Sequence, residues 1–85
     1  MGAIKRAVSL KVKSDDRKGL LAKMSEVFAD LGVNILHADA RTATDKKGLK
    51  AAISSFEVEI TDIKQLSAVL RAIGAIAGVH SVERV

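Results

Sequence analysis

No cysteine occurs among the 85 residues, so the chain has no disulfide framework, no thiolate nucleophile and no sulfur-based metal site. That absence fits a reducing compartment. Aromatic residues are nearly as scarce: Phe28 and Phe56 are the only two, with no Tyr and no Trp. Both fall at positions of core parity, which leaves no exposed ring on which a nucleic-acid base would stack. No apolar run is long enough to span a bilayer. The N-terminus alternates apolar and charged residues where a signal peptide requires a continuous apolar core, so the chain is read as cytoplasmic and without membrane contact. There is no Gly-x-Gly-x-x-Gly or phosphate-loop pattern, and Gly48 stands alone. A chain of this length makes one domain and buries only about 60% of its unfolded surface, so a homodimer is expected as a supplement to stability.

What is present begins with charge. The formal net charge is +4, from 14 Lys and Arg against 10 Asp and Glu. It is unevenly placed: half of the basic residues (Lys5, Arg6, Lys11, Lys13, Arg17, Lys18 and Lys23) precede position 24, against only Asp15 and Asp16 among the acidic ones. Such a basic end suits a nucleic acid, a phosphate or an acidic partner surface, and suits a solvated face equally well.

The chain is organised around Asp15-Asp16-Arg17-Lys18-Gly19-Leu20-Leu21 and the helix it opens. Leu20, Leu21, Met24, Val27, Phe28 and Leu31 form one stripe at the helical period. Asp15 or Asp16 is placed to cap the first N–H groups, Gly19 keeps the first turn bare, and Gly32 ends the helix. Exposed N–H groups beside a missing side chain suit a carboxylate or phosphate. An ordinary capped helix has the same residues.

Ile4 to Lys13 alternates cleanly and predicts a strand with Val8, Leu10 and Val12 buried. Val33 to Thr44 predicts a second, with Leu36, Ala38, Ala40 and Thr42 inward and His37, Asp39 and Arg41 outward. Thr44 to Gly48 is a turn, and Ala52, Phe56, Val58 and Ile60 mark the inward face of a third strand, completing a hairpin. Thr61-Asp62 with Gln65 is a capping-box pattern for a second helix whose stripe is Ile63, Leu66, Val69, Leu70 and Ile73. Val79 to Val85 is a final strand, although Val79, Val82 and Val85 do not alternate strictly.

The order strand, helix, strand, strand, helix, strand contains an echo: Asp16 precedes Gly32-Val33 as Asp62 precedes Gly78-Val79. Two such halves with right-handed crossovers predict an α+β, ferredoxin-like βαββαβ sandwich, a four-stranded antiparallel sheet with both helices on one face. The first and third strands are then central, with outward Lys5 across from Glu57 or Glu59.

These residues resemble the ACT domain, a small ligand-binding regulatory module. The resemblance rests on Asp16 to Leu21 (Asp-Arg-x-Gly-Leu-Leu), Leu31 to Ile35 (Leu-Gly-Val-Asn-Ile) and Gly78 to Val82 (Gly-Val-x-Ser-Val), and covers nearly the whole chain. Ala40-Arg41-Thr42, Phe56 to Ile60, and Asp62 with Gln65-Leu66 make it most similar to the C-terminal ACT domain of bifunctional (p)ppGpp synthetase/hydrolases of the RelA/SpoT type. The resemblance implies a regulatory domain, residues 1–85, excised from the C-terminus of a larger GTP pyrophosphokinase. It would not be an enzyme itself but would act on that enzyme's catalytic domains in the stringent response. The implied ligand is a small amino acid, and no cofactor is implied. The implied ligand residues are Asp16, Gly19 and Asn34, with Arg17, Lys18 and Leu20 completing the loop. One position departs from the pattern. Lys18 stands where ACT domains usually carry proline before the glycine, so ligand binding would have to order a less rigid loop.

A helix of about 15 residues separates Gly19 from Asn34 by roughly 20 Å, so one chain cannot bring both to a small ligand. Two chains can, which predicts that ligand binding and dimerisation are linked. The second strand, with Ile35, His37, Asp39 and Arg41, is the expected seam. His37 and Asp39 share a strand face and match a catalytic pair or two metal ligands only weakly; a solvent-side polar pair is the plainer reading, and His80 is read as a surface or packing histidine. No catalytic or metal residue is therefore assigned. The alternatives are a ligand-free structural module and a ribosome- or RNA-contacting domain that uses Arg17, Lys18, Lys11 and Lys13 on phosphates. The ACT domain of another amino-acid-metabolism enzyme would also fit.

Overall fold

The computed structural model describes residues 5–16, 19–44 and 46–85. Apolar and polar residues alternate along β1 (Arg6–Asp15), which buries Val8, Leu10, Val12 and Ser14 and exposes Ser9, Lys11 and Lys13. Ile4, Arg17, Lys18 and Asp45, on which parts of the sequence reading rest, lie outside the described residues.

The helical stripe builds α1 (Leu20–Asp30), which buries Leu20, Met24 and Phe28, with Val27 and Leu31 packed at the margin. Leu21 falls off the buried stripe and is 41% exposed. The helix closes through bonds from Gly32 N–H to the Ala29 carbonyl (3.0 Å) and from Val33 N–H to the Phe28 carbonyl (2.9 Å), which satisfy carbonyls that would otherwise be orphaned. The chain then runs out as β2 (Asn34–Thr44) and returns as β3 (Lys50–Ile60).

In α2 (Ile63–Gly74) the expected cap is present. Asp62 accepts from Gln65 N–H at 2.8 Å, and the Gln65 side-chain oxygen accepts from the N–H and hydroxyl of Thr61 at 2.7 and 2.9 Å. The reciprocal bond therefore goes to the residue before the cap, where an ordinary capping box uses the cap's own N–H. Leu66, Val69 and Ile73 are buried, whereas Ile63, expected in the stripe, is 76% exposed because it sits at the helix entry beyond the end of the core.

With β4 (Val79–Arg84) the sheet has the order β2-β3-β1-β4, every neighbouring pair antiparallel. This is the expected ferredoxin-like arrangement, with β1 and β3 central. The core lies between the helices and the sheet, and Phe28 and Phe56 meet at its centre with ring centroids 4.9 Å apart and planes inclined by 55°.

Two bulges change the register that alternation predicts. The pairing of β2 with β3 shifts between Ile35 and His37, so Ile35 packs on the core while Leu36, expected inward, is 47% exposed. The pairing of β1 with β4 shifts between Lys13 and Ser14, which leaves His80 as the extra residue between Val79 and Ser81. That extra residue is why Val79 and Val82, three positions apart, both pack against the core. Lys5 precedes β1, and Glu59 and Glu57 face Ala7 and Ser9 instead, so the expected Lys5 pairing does not form. Among the described residues the basic strand finds its cross-strand acid on the other side, where Lys11 is opposite Glu83.

Candidate functional site

Inward-facing side chains are not uniform along the sheet. Toward the α1 C-terminal end they are large (Val8, Leu10, Phe56, Val58, Ile60), and toward the α1 N-terminal end they become small. Two consecutive rungs define that second region. One aligns Ala40, Ser54 and Val12 across β2, β3 and β1, and the next aligns Thr42, Ala52 and Ser14. Small residues cannot fill the space beneath the first turns of α1, so a crevice of about 160 Å³ remains under Leu20, Leu21 and Met24. Ser14 and Ser54 in its floor are among the most buried residues of the chain, at 0% and 2% exposure. The Ser14 hydroxyl donates to the Asp15 carbonyl at 3.3 Å. Asp16 adds an acidic group to the lining, and Arg41 borders it at the β2 edge from a register position on the opposite face, across from Ile53.

The roof is a helix start with no side-chain cap. Gly19 is the N-cap of α1, in the left-handed conformation at φ 90°, and makes no side-chain cap bond; the first turn holds no acidic residue. Among the described residues, no bond joins Asp15 or Asp16 to the first-turn N–H groups of α1. Asp15 is turned to β4 instead: its N–H donates to the Gly78 carbonyl at 2.8 Å, and its Oδ1 lies 2.6 Å from His80 Nε2. His80 is thus a surface histidine held to β1. A Cβ at Gly19 would meet nothing within 4 Å, whereas one at Gly78 (φ 95°) would lie 3.2 Å from Leu20 Cδ1 and 3.5 Å from Asp15 Oδ2. Gly19 leaves the entry to the helix open, and Gly78 lets β4 close against it.

Of the ligand residues expected from the sequence, Asp16 and Leu20 line this crevice, Gly19 adjoins it, and Arg17 and Lys18 lie outside the described residues. Asn34 is at the other end of β2, where its Nδ2 donates to Glu59 Oε1 at 2.8 Å. Seven residues of strand, roughly 23 Å, separate Asn34 from Arg41, so a single chain does not unite the two halves of the expected site. Of the expected seam, His37, Asp39 and Arg41 are exposed along the β2 edge and Ile35 is half-buried against the core. The sequence reading missed the floor hydroxyls of Ser14 and Ser54. Their signal is two serines at inward parity in strands that are otherwise apolar there.

Residues 5–84 match the profile of the ACT domain. The chain belongs to the ACT domain family. As an ACT domain it is 44% identical over 84 residues to a GTP pyrophosphokinase of Myxococcus xanthus, covering 99% of this chain and 11% of that protein. It is 38% identical over 78 residues to the bifunctional (p)ppGpp synthase/hydrolase RelA of Mycobacterium tuberculosis, covering 92% of this chain and 10% of that protein. The ACT domain thus spans about a tenth of the length of the curated relatives it matches. In structure it resembles the crystallised ACT domain from the GTP pyrophosphokinase of Chlorobium tepidum. The TM-score is 0.78, over 96% of this chain and all of that one, at 16% sequence identity. That likeness shows the shared fold. Both phenylalanines of this ACT domain are buried, so the aromatic stacking used by sheet-based RNA readers has no ring here. Among the described residues no group of three or more His, Cys, Asp or Glu side chains is arranged to hold a metal, and no helix is long and apolar enough to cross a membrane.

Proposed function

We propose that this ACT domain is the amino-acid-sensing regulatory module of a cytoplasmic GTP pyrophosphokinase of the (p)ppGpp synthetase/hydrolase type, working as a homodimer in the stringent response. The observation that carries the reading is the crevice beneath α1. Its 160 Å³ is about half the roughly 300 Å³ at which drug-sized pockets begin, which suits a small metabolite. Its chemistry suits a zwitterion. The uncapped N–H groups of α1 suit a carboxylate, Asp16 suits an ammonium, and Ala40, Ala52 and Met24 surround a short apolar side chain. The 36–44% identity to the matching stretch of (p)ppGpp enzymes supports the parent assignment.

Dimerisation is supported by the β2 edge. An 11-residue outer strand in which only Ile35 and Ala43 are even half-buried presents a long row of unpaired backbone groups. Pairing of that edge with a second copy would bring a partner's Asn34 toward the first copy's Gly19 and link ligand binding to assembly. Sedimentation and amide NMR spectra with and without a panel of amino acids test both parts. The expected result is a dimer in which a branched or small amino acid at millimolar concentration shifts Ser14, Gly19, Leu20, Thr42 and Ser54 saturably, and in which Ala40→Leu abolishes the shifts. A dimer with no response favours the ligand-free structural role, and a monomer with no response rejects both parts.

A further inference from the structure

A second, larger hollow lies at the opposite end of the sheet from the crevice. Arg6 is across from Ile60 in β1 and β3, and Arg84 is across from Leu10 in β4 and β1. Both arginines therefore occupy register positions on the helix-covered face, where their partners are buried apolar residues. Of the two helices, α2 begins only at Ile63, and the two arginines line a groove of about 470 Å³ whose walls include Val8, Ile60, Leu66 and the exposed Ile63. Both arginines are exposed, so their guanidinium groups are open to an anion from solvent. Among the described residues neither guanidinium takes part in an ion pair or a hydrogen bond with a side chain. The nearby acid does not serve, because Asp62 is occupied in capping α2, and the Thr61 hydroxyl is engaged by Gln65.

We propose that this groove binds a monoanionic aliphatic carboxylate, with its alkyl body on Val8, Ile60 and Leu66 and its head between Arg6 and Arg84. The volume lies within the roughly 300–1,000 Å³ of small-molecule sites. The lining is aliphatic with no aromatic ring, which suits an alkyl chain and offers a nucleobase nothing to stack on. Arginine matches a carboxylate in planar, two-bond geometry. Asp62 at the rim repels a second negative group, so a single charge on an apolar tail is the best complement. Because α2 caps itself, the anion is held by the two arginines and owes nothing to the helix N-terminus.

The test is an amide and methyl NMR titration of the 85-residue chain with octanoate below its micellar range, alongside octanol and inorganic phosphate. The expected outcome is saturable shifts at Val8, Ile60, Ile63 and Leu66, with Thr42 and Ser54 unmoved. Octanol should bind about tenfold more weakly, and Arg6→Gln and Arg84→Gln should each weaken octanoate by about five- to tenfold, the scale of one charge-assisted bond. The proposal is overturned by the absence of saturation at about 10 mM, a concentration that corresponds to negligible affinity, by equal affinity for octanol, by unchanged affinity in the doubly substituted chain, or by phosphate alone binding as well as octanoate. Because the readout residues of the two hollows do not overlap, failure here leaves the amino-acid crevice untouched.

Discussion

Gly78 and Gly19 have nearly the same backbone angle, φ 95° and 90°, yet they should respond differently to alanine. An L-residue forced into the left-handed region costs about 1–2 kcal/mol, and both substitutions share that cost. At Gly19 the new Cβ enters open space, so about 1–2 kcal/mol is the whole effect. At Gly78 it arrives 3.2 Å from Leu20 Cδ1, tighter than ordinary contact, and Leu20 is 9% exposed in the core. The leucine must shift at the first residue of α1, and overpacking of this kind adds about 1 kcal/mol or more. Gly78→Ala is therefore expected to cost about 2–4 kcal/mol, a large share of the roughly 4–13 kcal/mol total stability expected at 85 residues. At this chain length 1 kcal/mol moves Tm by about 5–6 °C, so the variants should melt about 10–20 °C and about 5–10 °C below the parent. The chain has no Trp or Tyr, so the assay is far-UV circular dichroism under heat and urea. Equal losses at the two sites, or a loss under about 0.5 kcal/mol at Gly78, would refute the argument that Gly78 packs against the start of α1.

Three further outcomes are expected. Phe28→Ala removes a fully buried ring from its contact with Phe56 and should cost about 3–5 kcal/mol in urea unfolding, enough to leave the chain close to half unfolded at the lower end of its stability range. Asp62→Ala should cost about 1 kcal/mol by removing the α2 cap, with the loss of amide protection confined to the first turn at Gln65 and Leu66. A double-mutant cycle between Asp15 and His80, whose side chains are 40% and 54% exposed, should return a coupling below about 1 kcal/mol despite the 2.6 Å separation, since solvent screens the pair.

Periodicity was a sufficient guide wherever one face of an element is buried. Val8, Leu10 and Val12, the Met24 and Phe28 stripe, and Leu66, Val69 and Ile73 all lie where alternation and the helical repeat put them. The failures share a cause. A bulge adds one residue and flips the parity of every later position in its strand, so Leu36 looked inward and the Val79 to Val82 spacing looked irregular until the extra residues in β2 and β4 are counted. Pairing register is likewise invisible along a single strand, which is why alternation alone puts Lys5 opposite glutamates that in fact face Ala7 and Ser9. At the crevice, Asp16, Gly19 and Leu20 were legible from the loop that carries them. Ser14, Thr42 and Ser54 come together only through two rungs of sheet pairing. The Arg6 and Arg84 groove was illegible for the same reason, because those residues are 78 positions apart in the chain.

The echo between the two halves places a hollow at the start of each helix, Ser14, Asp16 and Leu20 in the first and Ile60, Asp62 and Leu66 in the second, and bears on why only the first has uncapped helix donors at its mouth. Asp16 and Asp62 stand at equal distances from Val33 and Val79, yet α2 begins one residue after its aspartate and α1 begins four after. The helices also end at different points: α1 runs to Asp30, two residues before Gly32, and α2 stops at Gly74, four before Gly78. One helix has thus slid toward the C-terminal end of its repeat relative to the other. In the second half the aspartate meets Gln65 N–H at 2.8 Å and the helix start satisfies itself. In the first, the slide carries the helix away from Asp16, puts Gly19 at the cap, and leaves donors at the mouth of a cavity floored by small residues. Moving the acid back should therefore close the site. Gly19→Asp would supply the missing cap oxygen at the cost of left-handed backbone, a conformation aspartate tolerates better than alanine does. It should melt above Gly19→Ala while losing the amino-acid response proposed for the crevice. Retention of that response in Gly19→Asp would mean that the open helix end is not what the ligand uses.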